Sequence, residues 1–373
     1  MPRKVPTGIE RLNEMFFRTY YTANNYEQLS ITDLYAGRTC TTTDNSSVKT
    51  IRVEKIPPAW LTNAEHINTR LKMLFSINAN LDIEYTEYSI PKNSGGYRLI
   101  SAPSDELKRL QSDIYTTLIK YGAYAHDAAF AYVKDRTCLS ALQRHQNKKT
   151  KWFYKFDLKD FFPSCTTAFL QKQLSQVYPF CILEPDVLNA LIKYATYKNA
   201  LPQGSPLSPL LSNMVMVPFD WAMYYSIRHF NGVYTRYADD IQISFPFKKQ
   251  LSFVEHIIKG HLPEGLILNY DKSRCGSNSG HNYNLGLMLN KDNKITIGHK
   301  KKMELKAKIN NFIFDFTNRR YWSIIDTQVL QGELNYFKQI EPEYADFVIK
   351  RLERKHQSPS ISTMFANIIS GRV

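Results

Sequence analysis

The sequence predicts an α+β fold, and three observations predict it. Two segments, 80–104 and 233–245, alternate apolar and polar residues around turn signals, the period-2 signature of β-hairpins. Other stretches, at 105–121, 206–217 and 299–355, carry apolar residues at helical spacing or in helix-length runs. The composition, 43% hydrophobic and 22% charged over 373 residues, supplies one large core or two to three small ones.

In chain order, residues 1–75 alternate polar, turn-rich stretches such as Thr41–Ser47 with short apolar segments, and read as a partly helical extension. In the 80–104 hairpin, Asn93-Ser94-Gly95-Gly96 is the turn before Tyr97-Arg98-Leu99-Ile100. Leu107, Leu110, Ile114 and Leu118 then share one helix face. Trp152–Phe156 is a β-rich run ending at Asp157, and a helix is expected to start near Thr166. An apolar helix over 206–217 follows a Pro-Gln-Gly turn. The second hairpin pairs Val233–Tyr237 with Ile241–Phe245, with Ala238-Asp239-Asp240 at the bend. The last segment, 299–355, is helical: Leu305, Ile309, Phe312 and Phe316 face one way, and Lys300, Lys301, Lys302, Lys306 and Lys308 crowd its first turns.

Forty-eight Lys and Arg against 34 Asp and Glu give a net charge of +14, which points to a polyanion, nucleic acid by default. The 13% aromatic content excludes global disorder. No run of about 18 uncharged apolar residues marks a membrane span, and the basic N-terminus leads into no apolar signal region. The five cysteines are scattered without a C-x-x-C pair, which disfavours a zinc site or disulfide framework and fits incidental thiols in a reducing cytoplasm.

The chemistry centres on carboxylates. An Asp-Asp pair at a hairpin tip is usually a solvated turn. Asp157 changes that reading, because it too ends a strand. If its strand pairs with the 233–245 hairpin, three carboxylates meet at one sheet edge. Such hard oxygen donors suit Mg²⁺, and two ions about 4 Å apart can clamp the attacking and leaving oxygens of a phosphoryl displacement.

At these residues the sequence resembles reverse transcriptases. Tyr237-Ala238-Asp239-Asp240 matches the family's Y-x-D-D hairpin, and Asp157 with Phe161-Phe162 matches the block of the first metal-binding aspartate. Leu201–Pro209 matches the P-Q-G block, and Ile90–Ile100 looks like the fingers hairpin of bacterial members. Asn269–Lys272, Leu285-Gly286-Leu287 and Leu330–Leu334 resemble two further palm blocks and a thumb segment, in family order across about 80–355. The resemblance implies a right-hand polymerase with fingers, palm and helical thumb. Its divisions are an N-terminal extension (1–78), fingers and palm (79–298), thumb (299–355) and a C-terminal tail (356–373).

The match also implies roles. Asp157, Asp239 and Asp240 would bind two Mg²⁺ ions. Phe162 would be the gate against a ribose 2′-hydroxyl, Gln203 would touch the nucleotide, and Lys92 and Arg98 would clamp its triphosphate. Lys272 is the candidate general acid, and Lys300, Lys301, Lys302 and Lys306 would track nucleic acid. Ordinary solvated lysines and a core phenylalanine are the plain alternatives, and His145 reads as packed rather than RNA-contacting. The implied partners are an RNA template, a DNA or RNA primer and dNTPs, with a dedicated noncoding RNA and an effector protein as further expectations.

The chain stops soon after the thumb, which points to the small bacterial enzymes: those of retrons and related antiphage defence systems. Three places depart from the retron pattern. Ala141–His145 keeps only the histidine of Asn-Ala-x-x-His, Ala131 replaces a glycine, and Asn284-Leu285-Gly286 stands in place of Val-Thr-Gly. These departures favour a defence-associated enzyme outside the typical retrons, with a retron enzyme and untemplated or protein-primed synthesis as alternatives. A nucleotide cyclase would need neither the P-Q-G block nor a basic thumb. A retired RNA-binding module would have no reason to keep three carboxylates.

Overall fold

The computed structural model describes residues 40–44, 47–51, 58–91, 95–280, 282 and 285–372. The threonine-rich stretch read as turn-rich instead pairs as a hairpin of β1 (Cys40–Asp44) and β2 (Ser47–Ile51), as its β-branched content allows. Helix α1 (Pro58–Ile77) sends Ile67, Leu71 and Leu74 into the main core. The end of the expected extension is thus part of the palm-side body.

Strands β3 (Tyr85–Pro91) and β4 (Tyr97–Pro103) form the fingers hairpin, with Tyr85 opposite Pro103 and Pro91 opposite Tyr97. Helix α2 (Asp105–Lys120) is capped by Ser104, whose hydroxyl accepts from the Leu107 amide, and carries Asp105 and Glu106 in its first turn. Both features satisfy the exposed amides and dipole of a helix start. Its Leu107, Leu110, Ile114 and Leu118 are buried, as their spacing predicts. Helix α3 (Cys138–Asn147) begins with a reciprocal Thr137–Ser140 capping box.

The central sheet comprises β5 (Trp152–Asp157), β6 (Val233–Tyr237), β7 (Asp240–Phe245) and β8 (Arg274–Ser277), in the order β6-β7-β5-β8 with every pairing antiparallel. Between β5 and β6 lie a single helical turn (Phe161–Ser164), α4 (Thr167–Leu174, capped by Thr166) and α5 (Pro185–Ala195). Helices α6 (Ser208–Met214) and α7 (Val217–His229) complete that stretch. The single helix expected over 206–217 divides there, because Pro218 opens a new helix. These helices and α8 (Leu251–His261) build the main core with Phe156, Ile241, Ile243 and Phe245 of the sheet.

A second core belongs to the thumb. A short ribbon of β9 (Met288–Leu289) and β10 (Ile295–Thr296) leads into α9 (His299–Thr317), α10 (Ile324–Ile340), α11 (Pro342–His356) and α12 (Ile361–Ile369). Leu305, Ile309, Phe312, Leu334, Phe337 and Leu352 pack there with Met364 and Phe365. Residues 361–369, expected as tail, are therefore thumb: Ile361, Met364, Phe365 and Ile368 recur at helical spacing and bury one face. No described helix is long and apolar enough to cross a membrane. Cys138, Cys165, Cys181 and Cys275 are free thiols, and burial pushes those of Cys165 and Cys181 up to about 12.

His145 is a core residue. Its Nδ1 is hydrogen-bonded to Ser244 Oγ (2.5 Å) and its Nε2 to Thr235 Oγ1 (2.8 Å), tying α3 to β6 and β7. Burial lowers its pKa to about 3, and that of buried His126 to about 4. Each is neutral when folded but takes a proton when unfolded below its ordinary value of 6.5. Their stabilisation is full above that value and is lost as the pH falls toward the folded values. The expected slope is about 1.4 kcal/mol per pH unit per histidine. Guanidinium unfolding of wild type and His145→Gln at pH 7 and pH 5 checks this. The variant is less stable at pH 7 but loses less on acidification. Equal losses would mean that His145 does not titrate with unfolding.

Candidate active site

Because β5 and β7 run antiparallel, their ends set the site. Asp157 closes β5 directly opposite Asp240, the first residue of β7, and Tyr237 closes β6 opposite the same Asp240. Directly opposed residues share a sheet face, so the Asp157 and Asp240 carboxylates lie side by side. Asp239 sits in the turn between β6 and β7, and its carbonyl accepts from the Leu158 amide at 3.1 Å. The strand pairing on which the sequence reading made a meeting of the three carboxylates depend is present.

Two lysines hold two of the three. Lys272 Nζ donates to both Asp157 oxygens at 3.1 and 3.0 Å, with Asn269 Nδ2 donating to Oδ2 at 3.3 Å. The Asp157 pair raises the Lys272 pKa. Lys155 reaches Asp240 at 3.0 Å. Asp239 forms no salt bridge among the described residues. Burial raises its pKa first, and the charges of Asp240 and Asp157 raise it further. The donor set of three carboxylates, with no soft ligand, suits a hard divalent cation. Among the described residues no three His, Cys, Asp or Glu side chains are already gathered as a metal cage. Lys272 and Lys155 neutralise two carboxylates, and Asp239 is left with repulsion that a cation would relieve.

A buried polar network supports the turn. Ala238 adopts a left-handed φ of +56°, uncommon outside glycine. Its carbonyl accepts from Arg236 Nη1 at 3.0 Å. Arg236, wholly buried, donates to both oxygens of buried Asp220 on α7 (2.7 and 2.6 Å) and to Asn213 Oδ1 (3.1 Å). Tyr234 donates to Asp220 at 2.6 Å. Asn213 Nδ2 in turn donates to the Ala131 carbonyl at 2.8 Å. One network thus fixes the turn between β6 and β7 and the segment leading to Tyr132.

Tyr132, at φ +60° and 53% exposed, meets the Phe162 ring edge-on with centroids 6.4 Å apart. Phe161 is buried in the main core, while Phe162 is half-buried and packs on it at the rim. The P-Q-G turn is stitched to the fingers: the Ser101 amide donates to the Gln203 carbonyl at 2.7 Å. Gly204 has φ +129°, and a Cβ there would lie 2.7 Å from the Ser101 carbonyl oxygen, so only glycine fits. The Gln203 side chain is half-buried. Arg98 is exposed on β4, and its charge acts on the Tyr132 phenol together with that of Asp239. Lys92 lies outside the described residues.

The thumb lysines divide. Lys300 and Lys301 are exposed and Lys306 is half-buried. Lys302 is not a free backbone-binding cation: it pairs with Glu341 at 2.5 Å and lies over the Tyr344 ring, closing α9 against α11. Thirty-nine positions separate that pair, so no local pattern announces it.

Sequence reasoning missed four participants. Lys155 had a signal, since it lies two residues before Asp157 and therefore on the same strand face. Arg236 and Asp220 had none, because their pairing needs α7 packed against β6. Tyr132 also needed the fold, which brings its segment to β6 through Phe130 and Arg236 backbone hydrogen bonds.

The family described as reverse transcriptase (RNA-dependent DNA polymerase) matches residues 90–303, more than half of the chain. The retron Ec83 reverse transcriptase of Escherichia coli is 29% identical over 293 residues, covering 75% of this chain and 89% of that protein. The retron Ec73 enzyme of the same organism is 28% identical, covering 72% and 86%. The retron Mx65 enzyme of Myxococcus xanthus is 26% identical, covering 72% and 64%. Among solved structures, apo telomerase from Candida tropicalis aligns with a TM-score of 0.43 at 12% identity, over 82% of this chain and 62% of that one.

Proposed function

The chain belongs to the reverse transcriptase family and is an RNA-directed DNA polymerase, and from that premise we propose that Asp157, Asp239 and Asp240 form its catalytic centre and hold two Mg²⁺ ions. The observation that carries the reading is the β5–β7 register, which sets Asp157 opposite Asp240 beside the strained turn bearing Asp239. Reverse transcriptases depend on divalent metal. Bound there, the ions would lower the pKa of a primer 3′-hydroxyl and neutralise the nucleotide triphosphate.

The chain's own groups do the rest. Arg98, exposed on β4, binds the triphosphate together with Lys92, a task suited to cations. Gln203 lies under the nucleotide. Lys272 keeps its proton through its Asp157 pair and supplies it to the leaving pyrophosphate. Lys300, Lys301 and Lys306 follow the template–primer backbone. Phe162 closes the space a 2′-hydroxyl would need. Phe162→Ala is expected to raise ribonucleotide incorporation relative to deoxynucleotide by about 10- to 100-fold, measured by single-nucleotide extension. Unchanged discrimination would place the gate elsewhere.

The departures at Ala131, Ala141–His145 and Asn284–Gly286 favoured an enzyme outside the retrons, but the similar relatives described above are retron enzymes. We therefore assign a dedicated noncoding RNA as the template, in an antiphage system with an effector protein as further partner. The test uses protein purified with its bound nucleic acid, given Mg²⁺ and labelled dNTPs, with Asp239→Asn/Asp240→Asn as control. DNA complementary to one bound RNA supports the assignment. A homopolymer, or DNA without a matching RNA, replaces it with untemplated synthesis.

A further inference from the structure

The end of the central sheet opposite the aspartates carries a second concentration of charge. Five residue steps along β5, about 17 Å, separate Asp157 from Trp152, which stands opposite Phe245 and Ser277. Four connections meet there: 147–151, 228–232, 246–250 and 277–280. The Lys151 amide donates to the Phe245 carbonyl, and the Asn278 amide to the Lys151 carbonyl. Tyr154 Oη donates to the Lys249 carbonyl at 2.6 Å, and Gly232 is seated against the Phe245 ring.

These connections contain Lys148, Lys149, Lys151, Arg228, Lys248 and Lys249, and no Asp or Glu. None of the six forms a salt bridge among the described residues. Three are instead held over aromatic rings. Lys248 lies 5.1 Å from the Trp152 centroid, Lys249 5.9 Å from both Phe230 and Phe253, and Arg228 5.8 Å from Tyr224. Cation–π contacts orient these groups without neutralising them. Beside them Phe247 is 78% exposed.

Unneutralised cations around an exposed ring are the elements of an RNA surface: phosphates for the lysines and an unpaired base to stack on the phenylalanine. We propose that this end of the palm is a second RNA-binding surface. It anchors a structured RNA with an unpaired segment, independently of the template–primer duplex at the thumb. The inference rests on the reading of the chain as an RNA-using polymerase, but not on the roles assigned at the aspartates.

The test is a variant of the full chain, Lys148→Gln/Lys149→Gln/Lys248→Gln, and separately Phe247→Ala. The probes are a hairpin RNA with a single-stranded flank and poly(rA)·oligo(dT). The lysine variant is expected to bind the hairpin RNA at least about tenfold more weakly, with its log–log salt slope reduced by about 2. Phe247→Ala is expected to weaken the flanked hairpin more than a blunt one. Extension of poly(rA)·oligo(dT) stays within about twofold of wild type in both, and thermal melting is unchanged because the substituted side chains are exposed. Unchanged hairpin affinity and slope would overturn the proposal. So would loss of binding to phosphatidylserine vesicles with RNA binding intact, which would make the surface a membrane contact. Asp239→Asn/Asp240→Asn run in parallel should bind the hairpin normally yet synthesise nothing. Synthesis by that control would count against the catalytic reading and leave the surface standing.

Discussion

Asp239→Asn together with Asp240→Asn is expected to reduce DNA synthesis by at least about a thousandfold, the scale on which loss of a preorganised electrostatic group acts. Asparagine keeps the shape of the side chain but removes charge where the proposed divalent cations would be held. The fold should not suffer. Burial and two neighbouring carboxylates already raise the Asp239 pKa, so neutralising it relieves repulsion, and the turn is held by backbone bonds the substitution leaves in place. Melting temperature and RNA affinity should therefore match wild type. Synthesis near the wild-type rate would remove these residues from the chemistry.

Arg236→Leu carries the largest expected cost in stability, about 3–5 kcal/mol, because it leaves the buried Asp220 carboxylate without its charge partner. Arg236→Met with Asp220→Leu should recover most of that loss, since an apolar pair of similar volume avoids burying charge. Activity should not return with it. The Ala238 carbonyl loses its Arg236 donor in both variants, so the left-handed residue before Asp239 is no longer fixed. Denaturant unfolding reads the first effect, and the Mg²⁺ dependence of extension reads the second. Full activity at ordinary Mg²⁺ in the stable double variant would show that the bond does not position the turn.

The parts legible in the sequence were those written in local periodicity. The β5 run, both hairpins and helix 105–120 announce themselves through alternation, turn residues or an apolar face. The opposition of Asp157 and Asp240 was legible as a condition, needing only that β5 pair with the 233–245 hairpin. What stayed hidden depends on distant partners. Asp220 looks like a polar position on a helix until it meets Arg236, and Lys302 looks like its solvated neighbours until Glu341 folds back on it. Residues 361–369 read as a tail because a lone nine-residue helix is not stable without the thumb it packs on.

The opposition of Asp157 and Asp240 imposes a parity rule on chain length. Side chains alternate faces along a strand, so adding or deleting one residue within Trp152–Asp157 or Asp240–Phe245 sends one carboxylate to the far side of the sheet and turns the other side chains of that strand to the opposite face. An even change restores the face but shifts the carboxylates apart. Mutational histories of this protein should therefore show insertions and deletions in the connections, such as the turn between β3 and β4, while those two strands change by substitution alone.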